Sequence, residues 1–186
     1  MNLADEYIDI LNDDLTVLKS CLKSEAHKHG YLHASIHVWF YTDSGELLFQ
    51  KRSPNKISFP NLWDVSVAGH VSSCEKTITS ALREVEEEIG LQIKRSDLNF
   101  IGTHKELHHH KTDFIDNEIH YLYISKLHRK LEELTIQEEE LTELKLIPIS
   151  EFEKIMQDSD FTNNFVGHEF GYYNFIITAI KKELNL

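Results

Sequence analysis

The sequence has few residues of the kinds that mark secreted or membrane proteins. Its 186 residues include only two cysteines, Cys21 and Cys74, and three prolines. Two cysteines cannot form a disulfide framework, and a chain of this length can bury a core without one, so a cytoplasmic location is expected. The sequence shows no uninterrupted apolar run approaching about 18 residues and no basic leader segment, so neither a membrane span nor a signal peptide is predicted.

Positive charge is also scarce. Lysine and arginine total 19 against 31 aspartates and glutamates, which gives a formal net charge of -12. Such a chain cannot bind DNA or RNA by broad neutralisation of phosphates, so no nucleic-acid partner is expected. An acidic protein that binds a phosphorylated small molecule usually does so through a divalent cation, which directs attention to clusters of carboxylates.

The order of the predicted elements favours an α+β or α/β fold, a sandwich of helices around a mixed β-sheet. No repeat or linker-like stretch interrupts the chain, so residues 1–186 are interpreted as one domain, with an N-terminal extension over 1–30 and a C-terminal helix over 169–184. Strands are predicted in HASIHVWFYTDSGELLFQKRS (two, joined by a turn), LWDVSVAGHV, LNFIGTHKEL, EIHYLYISKL and ELTELKLIPI. A further helix is predicted in SEFEKIM.

The clearest predicted helix runs over 75–89. Ser72 and Glu75 have the spacing of a capping box at its start, and Gly90 follows where a helix C-terminal glycine is expected. One face is apolar, and a neighbouring face carries three carboxylates. The apolar face consists of Ile78, Ala81, Leu82, Val85 and Ile89, and the acidic face of Glu84, Glu87 and Glu88.

The acidic face works against the stability of this helix. Like charges three or four positions apart cost about 0.2–0.5 kcal/mol per pair, and carboxylates in the last turn oppose the helix dipole. A hard divalent cation such as Mg²⁺ would reverse both penalties, because it favours carboxylate oxygens. The alternative is an ordinary solvated acidic surface.

The spacing around the cluster favours the cation. Gly69, five residues, Glu75, seven residues and then REVEEEIGL over 83–91 match every fixed position of the Nudix box, G-x5-E-x7-R-E-U-x-E-E-x-G-U, where U is aliphatic. The chain therefore resembles the Nudix superfamily. The resemblance implies an α/β/α sandwich around a mixed sheet, with the box forming a loop–helix–loop, and hydrolysis of a nucleoside diphosphate linked to another group.

The resemblance also implies roles for individual residues of the box. Glu84, Glu87 and Glu88 would be ligands of Mg²⁺, with Mn²⁺ as an alternative ion. Glu75 would be structural and paired with Arg83, while Gly69 and Gly90 would permit the tight backbone at the two loops. Glu88, Glu84 or a glutamate outside the box, for which Glu118 is the candidate, would act as the base that activates water.

Beyond the box, residues 6–152 resemble the branch close to isopentenyl-diphosphate isomerase, which raises double-bond isomerisation as a rival function. That reaction requires a cysteine just before the Gly-His of VAGHV, where this chain has Ala68. The isomerases also tend to have a degraded box, whereas this one keeps all its metal carboxylates. Both departures favour a hydrolase. A non-catalytic nucleotide-sensing domain is a third alternative, disfavoured because no box carboxylate is missing.

Isomerase-like features outside the box suggest further site residues. His33, His70, Asp116 and Glu118 fall where the isomerases hold a second metal ion, with His27 close to the remaining histidine position. Imidazole and carboxylate ligands suit Mn²⁺ or Zn²⁺. The alternative is that these residues are structural remnants.

Two basic residues and a histidine run complete the expectations. Arg52 and Lys56 stand where that branch binds diphosphate oxygens. His108–His110, in contrast, is interpreted as part of an exposed polar loop. The predicted protein is thus a Mg²⁺-dependent diphosphate hydrolase with a small-molecule substrate. Its oligomeric state is open, although family members are often dimers.

Overall fold

Alternating apolar residues build the strands of a mixed sheet in the computed structural model, which describes residues 5–169 and 171–186. The strands are β1 (Tyr7–Leu11), β2 (Val17–Leu22), β3 (His33–Tyr41), β4 (Glu46–Arg52), β5 (Trp63–Asp64), β6 (Val67–His70), β7 (Asn99–Lys111), β8 (Phe114–Lys126) and β9 (Leu141–Pro148). The helices are α1 (Lys23–His29), α2 (Thr77–Ile89), α3 (Ile149–Ile155), α4 (Phe161–Asn164) and α5 (Tyr172–Leu184). Residues 1–4 of the predicted N-terminal extension and residue 170 of the predicted C-terminal helix lie outside the described residues.

Strand β3 is the centre of the sheet. Along its whole length it pairs in parallel with β8, from His33 opposite Glu118 to Tyr41 opposite Lys126. On its other side it pairs antiparallel with β6. Strand β7 pairs antiparallel with β8, and β4 pairs antiparallel with β5 and β9. Both parallel and antiparallel pairs are present, so the predicted mixed sheet is confirmed.

Helices cover both faces of this sheet. Ile36, Val38 and Phe40 of β3 point to one face and pack with the apolar side of α2. Trp39 and Tyr41 point to the other face and pack with α3 and α5. This alternation follows from the two-residue period of a strand, and it produces the predicted sandwich of helix, sheet and helix.

Several local predictions are confirmed. The turn between β3 and β4 is present, with Gly45 at φ 76°. Gly90 ends α2 in the left-handed conformation, and its N–H bonds to carbonyls of the last turn. On α2, the predicted apolar positions Ala81, Val85 and Ile89 are fully buried.

The predicted capping box is wrong. Helix α2 begins at Thr77, and its N-cap, Lys76, makes no side-chain cap hydrogen bond. Ser72 instead contacts Glu6, and the Glu75 carboxylate accepts hydrogen bonds from Ser80 and Arg83. Ser72 therefore bonds to a residue distant in sequence, and Glu75 bonds to side chains of α2 itself, instead of the two capping the helix.

Two other expectations are corrected by the strand register. LWDVSVAGHV forms two short strands, β5 and β6, instead of one. At the break between them, the Ser66 hydroxyl accepts a hydrogen bond from the Phe40 N–H and donates one to the Leu48 carbonyl. His108–His110 belongs to β7 and is paired with β8, so it is not a loop. None of the helices within the described residues has the length and apolar character needed to span a membrane.

Candidate active site

Polar side chains from neighbouring strands converge on one face of the sheet. Across the parallel pair, His33 lies opposite Glu118 and Ser35 opposite His120. Across the β7–β8 pair, Glu106 lies opposite Glu118. Because alternate residues of a strand face the same side, these side chains all line one surface. Together with the box helix they enclose a cavity of about 580 Å³.

The box helix projects its carboxylates into the same cavity. Glu88 is 3% exposed and lies between two strands, with its Oε2 3.3 Å from both the Gln50 amide of β4 and the Ala68 N–H of β6. Glu84 packs directly against Gly69, where a Cβ would lie 2.1 Å from the Glu84 carboxyl carbon. Glu87, about half exposed, stands nearer the solvent.

Arg83 is the cation in contact with this acidic group. Its Nη1 donates to Glu84 Oε1 at 2.7 Å and to Glu87 Oε2 at 3.1 Å. Its Nη2 donates to Glu75 Oε2 at 3.1 Å and to the His70 carbonyl at 3.2 Å. The pairing of Glu75 with Arg83 that the resemblance implies is therefore present.

Burial makes ionisation of Glu84 and Glu88 unfavourable. Burial raises the pKa of Glu84 to about 7, in spite of the neighbouring Arg83 guanidinium. Burial, followed by the charge of Glu84, raises the pKa of Glu88 well above its ordinary value. Ionising both groups is therefore unfavourable unless a cation lies between them, so the donor set fits a hard ion such as Mg²⁺.

The histidines predicted for a second metal site are brought together. Glu118 Oε1 lies 3.4 Å from His33 Nε2 and 3.3 Å from His70 Nε2. His27, which the sequence aligned only approximately, joins them, since one ligand atom from each of the four residues falls within a 4.8 Å group. Asp116 adjoins this group, with its Oδ1 2.8 Å from His27 Nδ1.

The hydrogen-bonding state of this cluster supports metal binding. The Nε2 atoms of His33 and His70 are buried, yet among the described residues neither makes a hydrogen bond, and the nearest acceptor of both is Glu118 Oε1 at 3.4 Å and 3.3 Å. Buried polar atoms without partners are rare because each costs about 1–3 kcal/mol. Imidazole and carboxylate atoms that face a common point fit a borderline ion such as Mn²⁺ or Zn²⁺.

The predicted phosphate-binding residues have different surroundings. Arg52 donates from Nη1 to Asp64 Oδ2 at 3.0 Å and from its other nitrogens to the carbonyl and hydroxyl of Ser58. Lys56 forms an ion pair with Glu140. Both line the cavity, and the Lys56 side chain is the more exposed of the two.

Sequence reasoning missed a second polar group deeper in the cavity. Glu106 of β7, His120 of β8 and His168, which precedes α5, each place one ligand atom within 4.8 Å of the others. Asp64 lies behind His168, with its Oδ1 3.1 Å from His168 Nε2. Alternating polar residues at His104, Glu106, His108 and His110 in THKELHHHK carried the signal for a polar strand face.

A mixed sheet between helices, with a box helix that points carboxylates into a cavity, is the architecture of a diphosphate-hydrolase class of proteins. The NUDIX domain family matches residues 31–165 of the chain. A Nudix hydrolase of Clostridium acetobutylicum is 31% identical over 96% of this chain and 98% of its own length. An isopentenyl-diphosphate Delta-isomerase of Serratia proteamaculans is 27% identical over 64% of this chain and 65% of its own.

Solved structures agree on the fold. The crystal structure of a Deinococcus radiodurans protein matches with a TM-score of 0.66 at 18% identity, over 81% of this chain and 88% of its own. The chain therefore belongs to the NUDIX domain family, and its relatives named Nudix hydrolase indicate an acid anhydride hydrolase.

Proposed function

We propose that the protein is a Mg²⁺-dependent hydrolase that cleaves the diphosphate linkage of a nucleoside diphosphate joined to a second group, or of a related organic diphosphate. The observation that carries the proposal is the position of Glu88. This carboxylate is almost completely buried at the cavity wall, with two long hydrogen bonds and the charge of Glu84 beside it. A bound cation would stabilise the ionised form of Glu88. A cation at this wall of the cavity would in turn attract the negatively charged oxygens of a diphosphate.

Glu84, Glu87 and Glu88 are the residues that would hold Mg²⁺. When bound, the ion would supply charge neutralisation for phosphoryl oxygens and acidify a water molecule. Lys56 lines the cavity near Glu88, whose pKa it lowers, and is placed to bind a phosphate oxygen once it leaves Glu140. The cavity suits a small-molecule partner, which agrees with the excess of acidic over basic residues in the sequence.

The contacts of Glu118 argue against it as the base that activates the attacking water. Both of its oxygens face histidines, Oε1 towards His33 and His70 and Oε2 towards His120 at 3.3 Å. A carboxylate in that position is a ligand or an organiser of imidazoles. We therefore assign the orientation or deprotonation of the attacking water to Glu84 or Glu88.

A substrate panel tests the proposal. The protein is incubated with Mg²⁺ and nucleoside diphosphate derivatives, thiamine diphosphate and isopentenyl diphosphate, and products are separated by mass spectrometry. Cleavage at a phosphate anhydride is expected, and Glu88→Gln should reduce kcat/KM at least about 100-fold, which is about 2.7 kcal/mol of transition-state stabilisation. Glu86→Gln, on the exposed side of the same helix, is the matched control and should retain activity. Equal rates for wild type and Glu88→Gln would overturn the assignment.

One observation favours isomerisation as a second candidate. The resemblance to isopentenyl-diphosphate isomerases predicted a second metal site of His33, His70, Asp116 and Glu118, with His27 close to the remaining position, and these side chains lie together. Against it, Ala68 has no group that can transfer a proton, and it lies in the cavity wall where the isomerases have cysteine. Formation of the isomeric diphosphate from isopentenyl diphosphate in the same panel, without cleavage, would favour this candidate. Tight binding of a nucleotide without any turnover would favour a sensing domain.

A further inference from the structure

At the inner end of the cavity, four imidazoles surround one buried carboxylate. Glu106 is 2% exposed. Its Oε2 lies 2.9 Å from His108 Nε2, 2.9 Å from His168 Nδ1 and 3.4 Å from His120 Nε2, and its Oε1 lies 3.1 Å from His104 Nε2. The group is separate from the box carboxylates, and it adjoins the cluster that contains His27 through Glu118, whose Oε2 lies 3.3 Å from His120 Nδ1.

We propose that Glu106, His120 and His168 form a binding site for a divalent transition-metal ion of the Zn²⁺ type, additional to the two sites described above. This site, hereafter the inner site, does not depend on which reaction the protein catalyses. It uses none of the residues of the Nudix box. Its three ligand atoms come from β7, β8 and the segment before α5, so the fold itself assembles it.

The distances suit a small ion. All three ligand atoms lie within 4.8 Å of one another. Tetrahedral Zn²⁺ with bonds of about 2.0–2.1 Å keeps its ligand atoms about 3.3 Å apart. The separations of 3.4 Å and 2.9 Å from Glu106 Oε2 to the two histidine nitrogens are within about 0.5 Å of that value.

An unpartnered buried nitrogen points into the inner site. His120 is 5% exposed, and its Nε2 has no hydrogen-bond partner among the described residues although Glu106 Oε2 is 3.4 Å away. His104 Nε2 is buried and unpartnered in the same way. A cluster built only of hydrogen bonds would leave these two donors unsatisfied at about 1–3 kcal/mol each, whereas a metal ion would bind the first directly.

The outer nitrogens of the two histidines are held as in metal sites. Ligating histidines almost always bond their second ring nitrogen to a carboxylate or another oxygen, which fixes the tautomer and the ring orientation. His120 Nδ1 lies 2.6 Å from Ser35 Oγ, and His168 Nε2 lies 3.1 Å from Asp64 Oδ1. Asp64 is itself fixed by Arg52 at 3.0 Å. Each histidine proposed as a ligand of the inner site therefore has a partner that fixes the orientation of its ring.

The chemistry of the donors distinguishes the inner site from the box. Two imidazoles and one carboxylate favour Zn²⁺, Fe²⁺ or Co²⁺, whereas the all-carboxylate set on α2 favours Mg²⁺. An excess of Mg²⁺ should therefore occupy the box without displacing an ion from the inner site. This difference permits the two kinds of site to be counted separately.

Metal counting on the intact protein tests the proposal. The metal-free chain is titrated with Zn²⁺ or Co²⁺ in millimolar Mg²⁺, and bound ions are counted by native mass spectrometry, with the visible absorption of Co²⁺ as a second signal. Wild type should bind one more ion than His168→Gln or Glu106→Gln. His33→Gln, in the other histidine cluster, is the matched control and should keep the ion of the inner site.

A milder substitution tests the inner site if the variants of its ligands fail to fold. Ser35→Ala leaves all three ligands but removes the oxygen that orients His120, so it should weaken binding of the inner ion by about 10- to 100-fold. A wild-type count of two transition-metal ions, one for each histidine cluster, supports the proposal. A wild-type protein that binds no Zn²⁺ or Co²⁺ in excess Mg²⁺ overturns the proposal, as does a folded His168→Gln variant with an unchanged count. None of these readouts changes if the substrate panel shows no hydrolysis.

Discussion

The Glu84 side chain packs against Gly69 so closely that a Cβ on Gly69 would lie 2.1 Å from the Glu84 carboxyl carbon and 2.3 Å from its Oε1. The resemblance implied that Gly69 permits a tight backbone at a loop, but Gly69 lies in β6 and its φ is not in the left-handed region; a glycine is needed there because the Glu84 side chain fills the space of a Cβ. It leaves room for a carboxylate that would bind Mg²⁺.

Gly69→Ala should displace Glu84 and impair catalysis more than folding. Glu84 can rotate away from the new methyl group, so we expect the free energy of unfolding to fall by only about 1–3 kcal/mol. The affinity for Mg²⁺ should fall together with kcat. Calorimetric titration of Mg²⁺ and chemical unfolding separate the two effects. Unchanged Mg²⁺ affinity would contradict the proposed role of Glu84.

Glu84 should make the metal-free protein less stable as pH rises. Its folded pKa, raised by burial to about 7, exceeds the ordinary value of 4.5, so its stabilising contribution is full below pH 4.5 and is lost as pH rises through 7. The loss amounts to about 3 kcal/mol at pH 8, from about 1.36 kcal/mol per pKa unit. Chemical unfolding in EDTA at pH 5 and pH 8 measures it.

Two comparisons isolate this effect. Glu84→Gln should reduce this pH dependence and leave the part that comes from Glu88, whose pKa burial also raises, while Glu86→Gln on the exposed face should keep all of it. Mg²⁺ should restore the stability of wild type at pH 8 by binding the folded state, and should restore that of Glu84→Gln less. A Glu84→Gln variant with the wild-type pH profile would show that another group is responsible.

The box could be interpreted from sequence because its geometry is local. Helical spacing alone places Glu84, Glu87 and Glu88 on one side of a helix, and the structure keeps that helix. The His33, His70 and Glu118 group required knowledge of a family pattern, since the three residues come from three strands. The capping box failed because Ser72 bonds to the distant Glu6 and Glu75 bonds to Arg83 within α2.

The inner site could not be predicted because it depends on register between distant segments. Glu106 and His120 are diagonal neighbours across the β7–β8 pair, in which Glu106 lies opposite Glu118 and His120 opposite His104, and a register shift near Gly102 sets this alignment. His168 is 62 residues beyond Glu106 and lies outside regular secondary structure, so no periodicity points to it. Alternation predicts which side chains share a face, but not which strands are neighbours.

Tyr172 joins the core to the site, and its hydroxyl should be important for stability. It accepts a hydrogen bond from Trp39 Nε1 at 2.9 Å and lies 2.6 Å from His37 Nδ1, all within buried surroundings. Tyr172→Phe leaves the indole N–H without a partner, so the free energy of unfolding should fall by about 1–3 kcal/mol. Phe175→Leu, 45% exposed on the same helix, should change it by less than about 0.5 kcal/mol. Equal effects in chemical unfolding would contradict this role.

Arg52 and Lys56 were both predicted to contact phosphate, and their surroundings predict different responses to substitution. Arg52→Lys keeps the charge but cannot donate to Asp64 and Ser58 together, so it should lower the free energy of unfolding by about 1–3 kcal/mol. Lys56→Met removes a partly exposed pair with Glu140, which contributes about 0–1 kcal/mol, but also removes a cation from the cavity.

Steady-state kinetics and chemical unfolding on the same preparations separate the two roles. Lys56→Met should raise KM for the diphosphate substrate several-fold with little loss of stability. Arg52→Lys should lose stability, and its effect on KM should be smaller because its guanidinium is held by Asp64 and Ser58 rather than directed at the cavity. If Arg52→Lys instead raised KM and left unfolding unchanged, direct phosphate contact by Arg52 would be the better interpretation. In that case the Val65 N–H, which donates to Asp64 Oδ1 at 2.8 Å, would be the group that holds Asp64 in place. Asp64 would then still orient His168.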